Sequence, residues 1–341
     1  DTATTESDTR ARHDARPSAG FLVISVVSLS LGIGANTAIF SLINAVMLRS
    51  LPVKEPGRLV QIARVLPNGR PVTISYPLFL YFRTNLKSLS GAEAETSIEP
   101  TIVLEGAEEL VSGELVSGEH YSALGVEPVA GRLLEPTDDL VSAKSAAAVI
   151  SYRYWQRRFG LNPAVVGKTF VIGDRLFTIV GVTPPKYEGT RTGRDPDVTL
   201  PLAMMLTEEQ RTEPTNNFLI MLGRLKPGVT AREANAEVQV LWKSFIETEA
   251  NQAPQKDRQQ VLSRRAAAFS APDGFNPIRA DYSQALIILT GTAGLVLLLA
   301  SANMAGMLLA RAAARQREVS IRLAIGAGSG RLMRQFLAES F

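Results

Sequence analysis

From Pro17 to Leu48 the chain runs 32 residues without one Asp, Glu, Lys or Arg. A helix needs about 20 such residues to cross a hydrocarbon core, and a charge at its centre costs roughly 2.5–3.5 kcal/mol. The apolar core of a cleaved signal peptide is only about 7–15 residues, so the run predicts a membrane helix over 20–48. Inside it, "LGIGANTAIF" places Gly32 and Gly34 in a G-x-G, but Thr37 stands where a dinucleotide-binding loop needs its third glycine. No turn signal precedes the motif either. A second uncharged run, Tyr282 to Ala310, fills the 29 residues between Asp281 and Arg311 and predicts a second membrane helix over 282–310.

Charge then orients the chain. Residues 311–341 carry six Arg against two Glu, and the segment 1–19 contributes Arg10, Arg12 and Arg16. Lys and Arg beside span ends mark the cytoplasmic side, so both termini are expected inside and the loop 49–281 outside. That loop is neutral, with 27 basic and 27 acidic residues. The basic excess therefore lies beside a membrane, with no basic–aromatic stripe elsewhere, and nucleic acid is excluded as a partner.

Enzyme chemistry is equally hard to find. The chain has no Cys, which removes disulfides and thiolate metal sites, and its two His, His13 and His120, cannot build a histidine metal cluster. His120, in "SGEHYSALG", is the one base a Ser-His-Asp triad outside the termini can use, and no nucleophile elbow adjoins it. Gly167-Lys168-Thr169 ends like a P-loop, but Asn162 occupies the place of its first glycine and a strand pattern follows. The expectation is a non-catalytic chain without metal or cofactor.

The loop alternates between strand and helix patterns. "RLVQIARV" reads as a strand, residues 75–91 as a helix started by Ser75 and stopped at Gly91, and "TIVLEG" with "EELVSGELV" as paired strands. "AAAVISYRYWQRRFG" is a strand entering a helix with Trp155, Arg157 and Arg158, a partner patch or an anchor. "GKTFVIGDRLFTIVGV" is a hairpin. Residues 216–245 give a strand, a Pro-Gly turn and a helix with a capping box at Thr230 and Glu233. A β-rich piece over about 120–210 is expected as an insertion in a discontinuous α/β subdomain, and 246–280 shows no regular pattern. The fold class expected is α+β: two membrane helices flanking a mixed α/β extracytoplasmic domain, with a cytoplasmic helical tail.

Each membrane helix carries a polar or small face. Ser30, Asn36, Thr37, Ser41 and Asn44 fall within roughly 140° of the first, and polar groups in a span face protein, not lipid. Gly32 belongs to the same packing set. In the second, Ala302, Gly306 and Ala310 form a small-residue ridge that permits close backbone approach, with Asn303 beside it. Past the second span, Arg311, Arg315, Glu318 and Arg322 share one helical stripe before Gly326, Gly328 and Gly330. A basic stripe there suits anionic membrane lipids.

Four stretches carry a family resemblance. "LGIGANTAIFSLINAVMLRSLPVKEPGRLV" resembles the first span of the FtsX-like permease superfamily, which includes MacB-type exporters. "VSGEHYSALGVEPVAGRLL", "VISYRYWQRRFGLNPAVVGKTFVIGDRLFTIVGVTPP" and "GRLKPGVTAREANAEV" resemble the MacB-like periplasmic core, most closely in the branch of acidobacterial duplicated orphan permeases. "RQREVSIRLAIGAGSGRLMRQFLAES" is similar to that family's cytoplasmic coupling segment. The resemblance implies a bacterial inner-membrane permease subunit with 49–281 in the periplasm and 311–341 as the truncated start of an FtsX-like domain. It implies a separate ABC ATPase docked on Arg315, Arg317, Glu318, Arg322, Gly326, Ala327 and Gly330. It also implies a second permease half or homodimer partner, and a membrane-fusion or other periplasmic partner. On this reading the chain is the front part of one permease half. ATP-driven export or extraction is the implied function. The alternatives are an FtsX-like relay that switches a cell-wall hydrolase, and a two-span anchored receptor.

Overall fold

The segments richest in Val, Ile, Leu and Phe between the two apolar runs pair edge to edge, as pleated, half-buried surfaces favour. The computed structural model describes residues 27, 30, 32–41, 50–141, 146–191 and 193–324. Its main strands are β1 (Leu59–Val65), β2 (Leu89–Ile98), β3 (Thr101–Leu104), β4 (Ala107–Leu110), β5 (Gly113–Val116) and β6 (Ala146–Ile150). They continue with β7 (Thr169–Ile172), β8 (Arg175–Val182), β9 (Val198–Pro201), β10 (Asn217–Leu225) and β11 (Arg265–Ser270). The sheet order is β11-β1-β10-β2-β5-β9-β6-β8-β7-β3-β4. The helices used below are α1 (residues 32–41), α2 (Tyr76–Asn85), α3 (His120–Leu124), α4 (Tyr152–Phe159), α5 (Ala231–Gln252) and α6 (Pro277–Ala324).

Val46–Asp281 forms one unit, and Asp1–Ala45 with Tyr282–Phe341 a second. In the first, most strand pairs are antiparallel, while β6–β8 and β5–β9 run parallel. A parallel pair needs a crossover, and α4 lies in the one joining β6 to β8. One face of the sheet buries Leu78, Phe79 and Phe82 of α2 together with Ala234, Val238, Trp242, Ile246 and Ala250 of α5. That α5 spacing of four is a core-facing stripe, and the Thr230–Glu233 capping box starts the helix. The opposite face buries a smaller set that includes Leu59, Val116, Tyr121, Leu124, Val149 and Tyr187.

Several local expectations change. The helix from Tyr76 ends at Asn85, not Gly91, because the Glu237 carboxylate accepts from the backbone N–H groups of Lys87 (2.8 Å) and Ser88 (2.9 Å) and turns the chain into β2. "EELVSGELV" is two strands. Its break at Ser112 is set by Asp197, whose carboxylate accepts from Ser112 N (3.3 Å) while its own N–H donates to Ser112 O (2.7 Å). Strands between 120 and 210 join the same sheet as their neighbours. Residues 246–280, where no pattern was legible, hold the end of α5, a short helix Arg258–Leu262 and edge strand β11.

The expected segment 1–19, most of 20–48 with Asn44, and residues 325–341 with Gly326, Ala327 and Gly330 lie outside the described residues. Among the described residues one helical stretch, Ala285–Gly306 of α6, is long and apolar enough to cross a membrane. Arg315, Arg317, Glu318 and Arg322 lie on α6, as does Ala310.

Two devices tie the loops of the sheet unit down. β8 shifts register between Ile179 and Gly181, where the pair Ala130–Gly131 comes against it. A Cβ on Gly181 would overlap the carbonyl oxygens of Arg132 and Ala130, so a side chain is incompatible with the close approach. Nearby, Asp138 accepts two bonds from the Arg132 guanidinium (2.6 and 2.9 Å) and one from Glu135 N (2.9 Å). Burial raises the Asp138 carboxyl, but these bonds outweigh it and hold the group below the usual carboxylate range. Asp139 bonds Gly118 N (3.1 Å) and Ala203 N, fastening the same loop to the turn before α3 and to the helix Leu202–Met205.

Overpacking of this kind costs about 1–3 kcal/mol. Gly181→Ala is therefore expected to lower stability by that amount, read in urea by tryptophan fluorescence of the full chain. Both tryptophans, Trp155 and Trp242, report the sheet unit. An unchanged midpoint would remove the close approach as a constraint. Asp138→Asn should cost about 1 kcal/mol at pH 7, because Arg132 is half exposed and solvent weakens the pair. A depressed acid stabilises the fold above its unfolded pKa and loses that contribution as pH falls through the folded value. The gap between wild type and Asp138→Asn should accordingly close as melts are taken from pH 5 to pH 3.

Candidate functional site

Strand β2 alternates "AEAE" between two faces, since successive side chains point oppositely. Ala92 and Ala94 go into the helix-covered core, while Glu93 and Glu95 go to the other face, 1% and 0% exposed. Pairing sets Glu95 opposite Val116 and Ser97 opposite Glu114 on β5, and Glu114 in turn meets Thr199 on β9. Glu114 and Val116 share the Glu93/Glu95 face, so three carboxyls lie together on the sheet, all buried.

Helix α3 is what covers them. It follows β5 after a turn in which Ser117 exchanges hydrogen bonds with Ala94: Ser117 N donates to Ala94 O (2.8 Å) and Ala94 N to Ser117 Oγ (3.0 Å). Gly118 lets the loop before Asp139 approach, since a Cβ there would lie 2.6 Å from Pro136 Cα. His120 then drops onto the carboxyls. Its Nδ1 is 2.7 Å from Glu93 Oε2 and its Nε2 is 2.7 Å from the Tyr187 hydroxyl. The Tyr121 ring meets the His120 ring edge-on at 4.9 Å. Thr190 donates from its hydroxyl to Glu95 Oε2, and Arg191 donates to Ser97 Oγ at 3.1 Å. Gly274, at φ 69°, packs against the Thr190 carbonyl, and Phe275 N donates to that oxygen at 2.9 Å.

Burial dominates the electrostatics. It pushes Glu93 well above the carboxylate range and raises Glu95 to about 7. The neighbouring Glu93 charge adds to the Glu95 shift, and His120, Thr190 and Arg191 oppose it. Burial and the charges of Glu95 and Glu93 lift Glu114 well above its ordinary value. Burial also lowers His120 to about 4. The imidazole is neutral at physiological pH and the carboxyls favour their protonated forms. Both His120 nitrogens face a carboxyl or a phenol, so the base of a serine triad is not formed here. One donor atom each of Glu93, Glu95 and His120 lies within 4.8 Å of the other two. The histidine count that excluded a metal cluster left carboxylates two apart on a strand out of account.

In the second unit, Gly32 and Asn36 of α1 lie against α6. Asn36 Nδ2 donates to Gly32 O and, across the helices, to Ala293 O, each at 3.3 Å. A Cβ on Gly32 would come 3.3 Å from Leu297 Cδ1. Ser41, Ala302, Asn303 and Gly306 are exposed on the single chain. Trp155 acts as an anchor: its Nε1 donates to Asn162 O at 2.8 Å and its ring meets Tyr152 edge-on. Arg157 pairs with Asp197 at 3.1 Å and Arg158 with Glu109 at 3.4 Å, within the same unit.

Comparison with known proteins places this architecture. The family model for the MacB-like periplasmic core domain matches residues 22–241. Three solved structures are similar at low identity. A domain of a putative permease protein from Porphyromonas gingivalis is 16% identical with TM-score 0.48, covering 64% of this chain and 92% of that one. The periplasmic region of MacB from Actinobacillus actinomycetemcomitans is 14% identical with TM-score 0.43, covering 55% and 84%. The extracellular domain of the noncanonic ABC-type transporter YknZ from Gram-positive bacteria is 12% identical with TM-score 0.41, covering 55% and 94%. No curated protein matches. With well over half its length matched, the chain belongs to the MacB-like periplasmic core domain family, and with it to the MacB/FtsX-type permeases of ABC transporters.

Proposed function

We propose that this chain is the permease subunit of an ATP-driven exporter or extractor in the bacterial inner membrane, non-catalytic itself and moved by a separate ATPase. The observation that carries the reading is a match to the family's core domain whose sheet unit, Val46–Asp281, is bracketed in sequence by two apolar helices, α1 and α6, that bond to one another through Asn36 and Ala293. On this reading residues 49–281 are periplasmic and both termini cytoplasmic. Arg315, Arg317, Glu318, Arg322, Gly326, Ala327 and Gly330 form the ATPase-coupling segment. The faces of Gly32, Asn36, Ser41 and Asn44, and of Ala302, Asn303, Gly306 and Ala310, pack within the permease or against a second half. Polar and small residues suit such faces because they bond and pack where lipid offers neither. Export asks the periplasmic unit to change shape when the cytoplasmic ATPase closes, and a domain carried between two spans is placed to receive that motion.

Topology is tested on a clean background, because the chain has no cysteine. Asp174→Cys, on the exposed turn between β7 and β8, should react with a membrane-impermeant maleimide once the outer membrane is opened and the inner membrane is intact. Reaction only after inner-membrane lysis would overturn the orientation. Coupling is tested by Arg322→Glu, which should abolish co-purification of the ATPase while membrane insertion stays unchanged. Undiminished co-purification would move the docking segment elsewhere.

A further inference from the structure

We propose that Glu93, Glu95 and His120 form a binding site for a divalent first-row metal ion, inside the sheet unit and independent of the transport reading. The donor set is two carboxylate oxygens and an imidazole nitrogen, all mutually within 4.8 Å. An ion with bonds of about 2.0–2.2 Å sets its ligand atoms roughly 3–3.5 Å apart, so the wider separations close by about an ångström while His120 Nδ1 and Glu93 Oε2, now 2.7 Å apart, open to admit it. Carboxylate and imidazole together suit Zn²⁺ or Mn²⁺, and the absence of sulfur disfavours soft ions.

Independent features of the cluster point the same way. Glu93 Oε1 is fully enclosed and has no hydrogen-bond partner among the described residues. A buried polar atom of this kind is costly unless something binds it. The charge also closes: two carboxylates and a neutral imidazole around a dication carry no net charge, which suits a buried site. Finally, the surroundings already have the form of an outer shell. Nδ1 of His120 lies beside the Glu93 carboxyl, 2.7 Å from Oε2, and Nε2 is held by the Tyr187 hydroxyl at 2.7 Å. A metal-bound histidine typically fixes its other nitrogen in this way. Thr190 holds Glu95 from the opposite side. The ion would clamp α3 to β2, joining the helix to the sheet by bonds far stronger than the packing now visible.

The test uses the full chain, purified in detergent on an affinity tag without histidines and without chelator. Elemental analysis should find about one equivalent of a first-row divalent metal per chain. After chelator dialysis the melting temperature, read from tryptophan fluorescence, should fall, and Zn²⁺ or Mn²⁺ chloride should restore it. Glu95→Gln and Glu93→Gln should each weaken binding by at least about 10–100-fold, the loss that even an outer partner causes. Glu108→Gln, on the exposed face of β4, should leave it unchanged. Metal-free wild type with melting indifferent to both ions would overturn the proposal, as would full metal content in folded Glu93→Gln or Glu95→Gln. If neither variant folds, the wild-type titration alone decides between the two outcomes.

Discussion

The register of β2 decides what lies on each side of the sheet. With the observed pairing, Ala92 and Ala94 line the core under α2 and α5, and Glu93 and Glu95 meet His120. A slip of one residue would exchange the two faces, putting carboxyls among Phe79, Phe82 and Ile62 and leaving His120 opposite alanine. The register is pinned from both flanks. β10 runs antiparallel on one side, and on the other the bonds between Ser117 and Ala94 lock the start of α3 to the strand it covers. Fold and site are thus set by one alignment. The turn at Gly118 and the loop anchored by Asp138 and Asp139 hold the cover in place.

A polar cluster under such a cover has a physical consequence for the unit. Apolar packing tolerates small shifts, because each contact is weak and non-directional. A buried network of carboxyls, imidazole and phenol does not, since every bond lost leaves an unsolvated group. The second face of the sheet is therefore the more exacting one. Its elements come from far apart in the chain: β2, β5 with α3, and the segment of Tyr187 and Thr190. Gly274 and Phe275, immediately before α6, hold the Thr190 carbonyl. The stretch that precedes the apolar helix is in this way part of the support of the buried cluster.

Much of this architecture is legible in the sequence, and the exceptions share a cause. The strand–helix patterns at Leu59–Val65, Ala146–Phe159, Thr169–Val182 and Asn217–Phe245 stand out because aliphatic periodicity and turn or cap residues agree. β2 is obscure because "GAEAETSI" alternates small and acidic residues, the pattern of a strand half open to water. Its carboxyls are buried only because α3 and the 187–191 segment close over them, and nothing local in the sequence signals that. β11 fails for a similar reason: "RAAAFS" has weak strand propensity and owes its place to pairing with β1 along six residues. Glu237 shows the same limit from the other side. It reads as an exposed helix residue, yet it ends α2 by binding two backbone N–H groups on a distant turn.

The apolar helices obey a different rule from the sheet. In water the exposed Leu, Ile and Val side chains along α6, Leu295, Val296, Leu298 and Leu299 among them, would have no reason to remain unburied. A hydrocarbon solvent removes that objection and changes which residues matter, since helices in lipid gain little from burying Leu and more from bonds and close backbone contact. Asn36 is the residue that such a rule selects. Its amide reaches the Ala293 carbonyl at 3.3 Å, next to Gly32, where the absent side chain makes room for Leu297. On the membrane reading proposed above, the charge-free run of 32 residues meets hydrocarbon, and Asn36 within it marks the face turned to α6. The same polar group that a water-soluble helix would turn outward is here turned toward its neighbour.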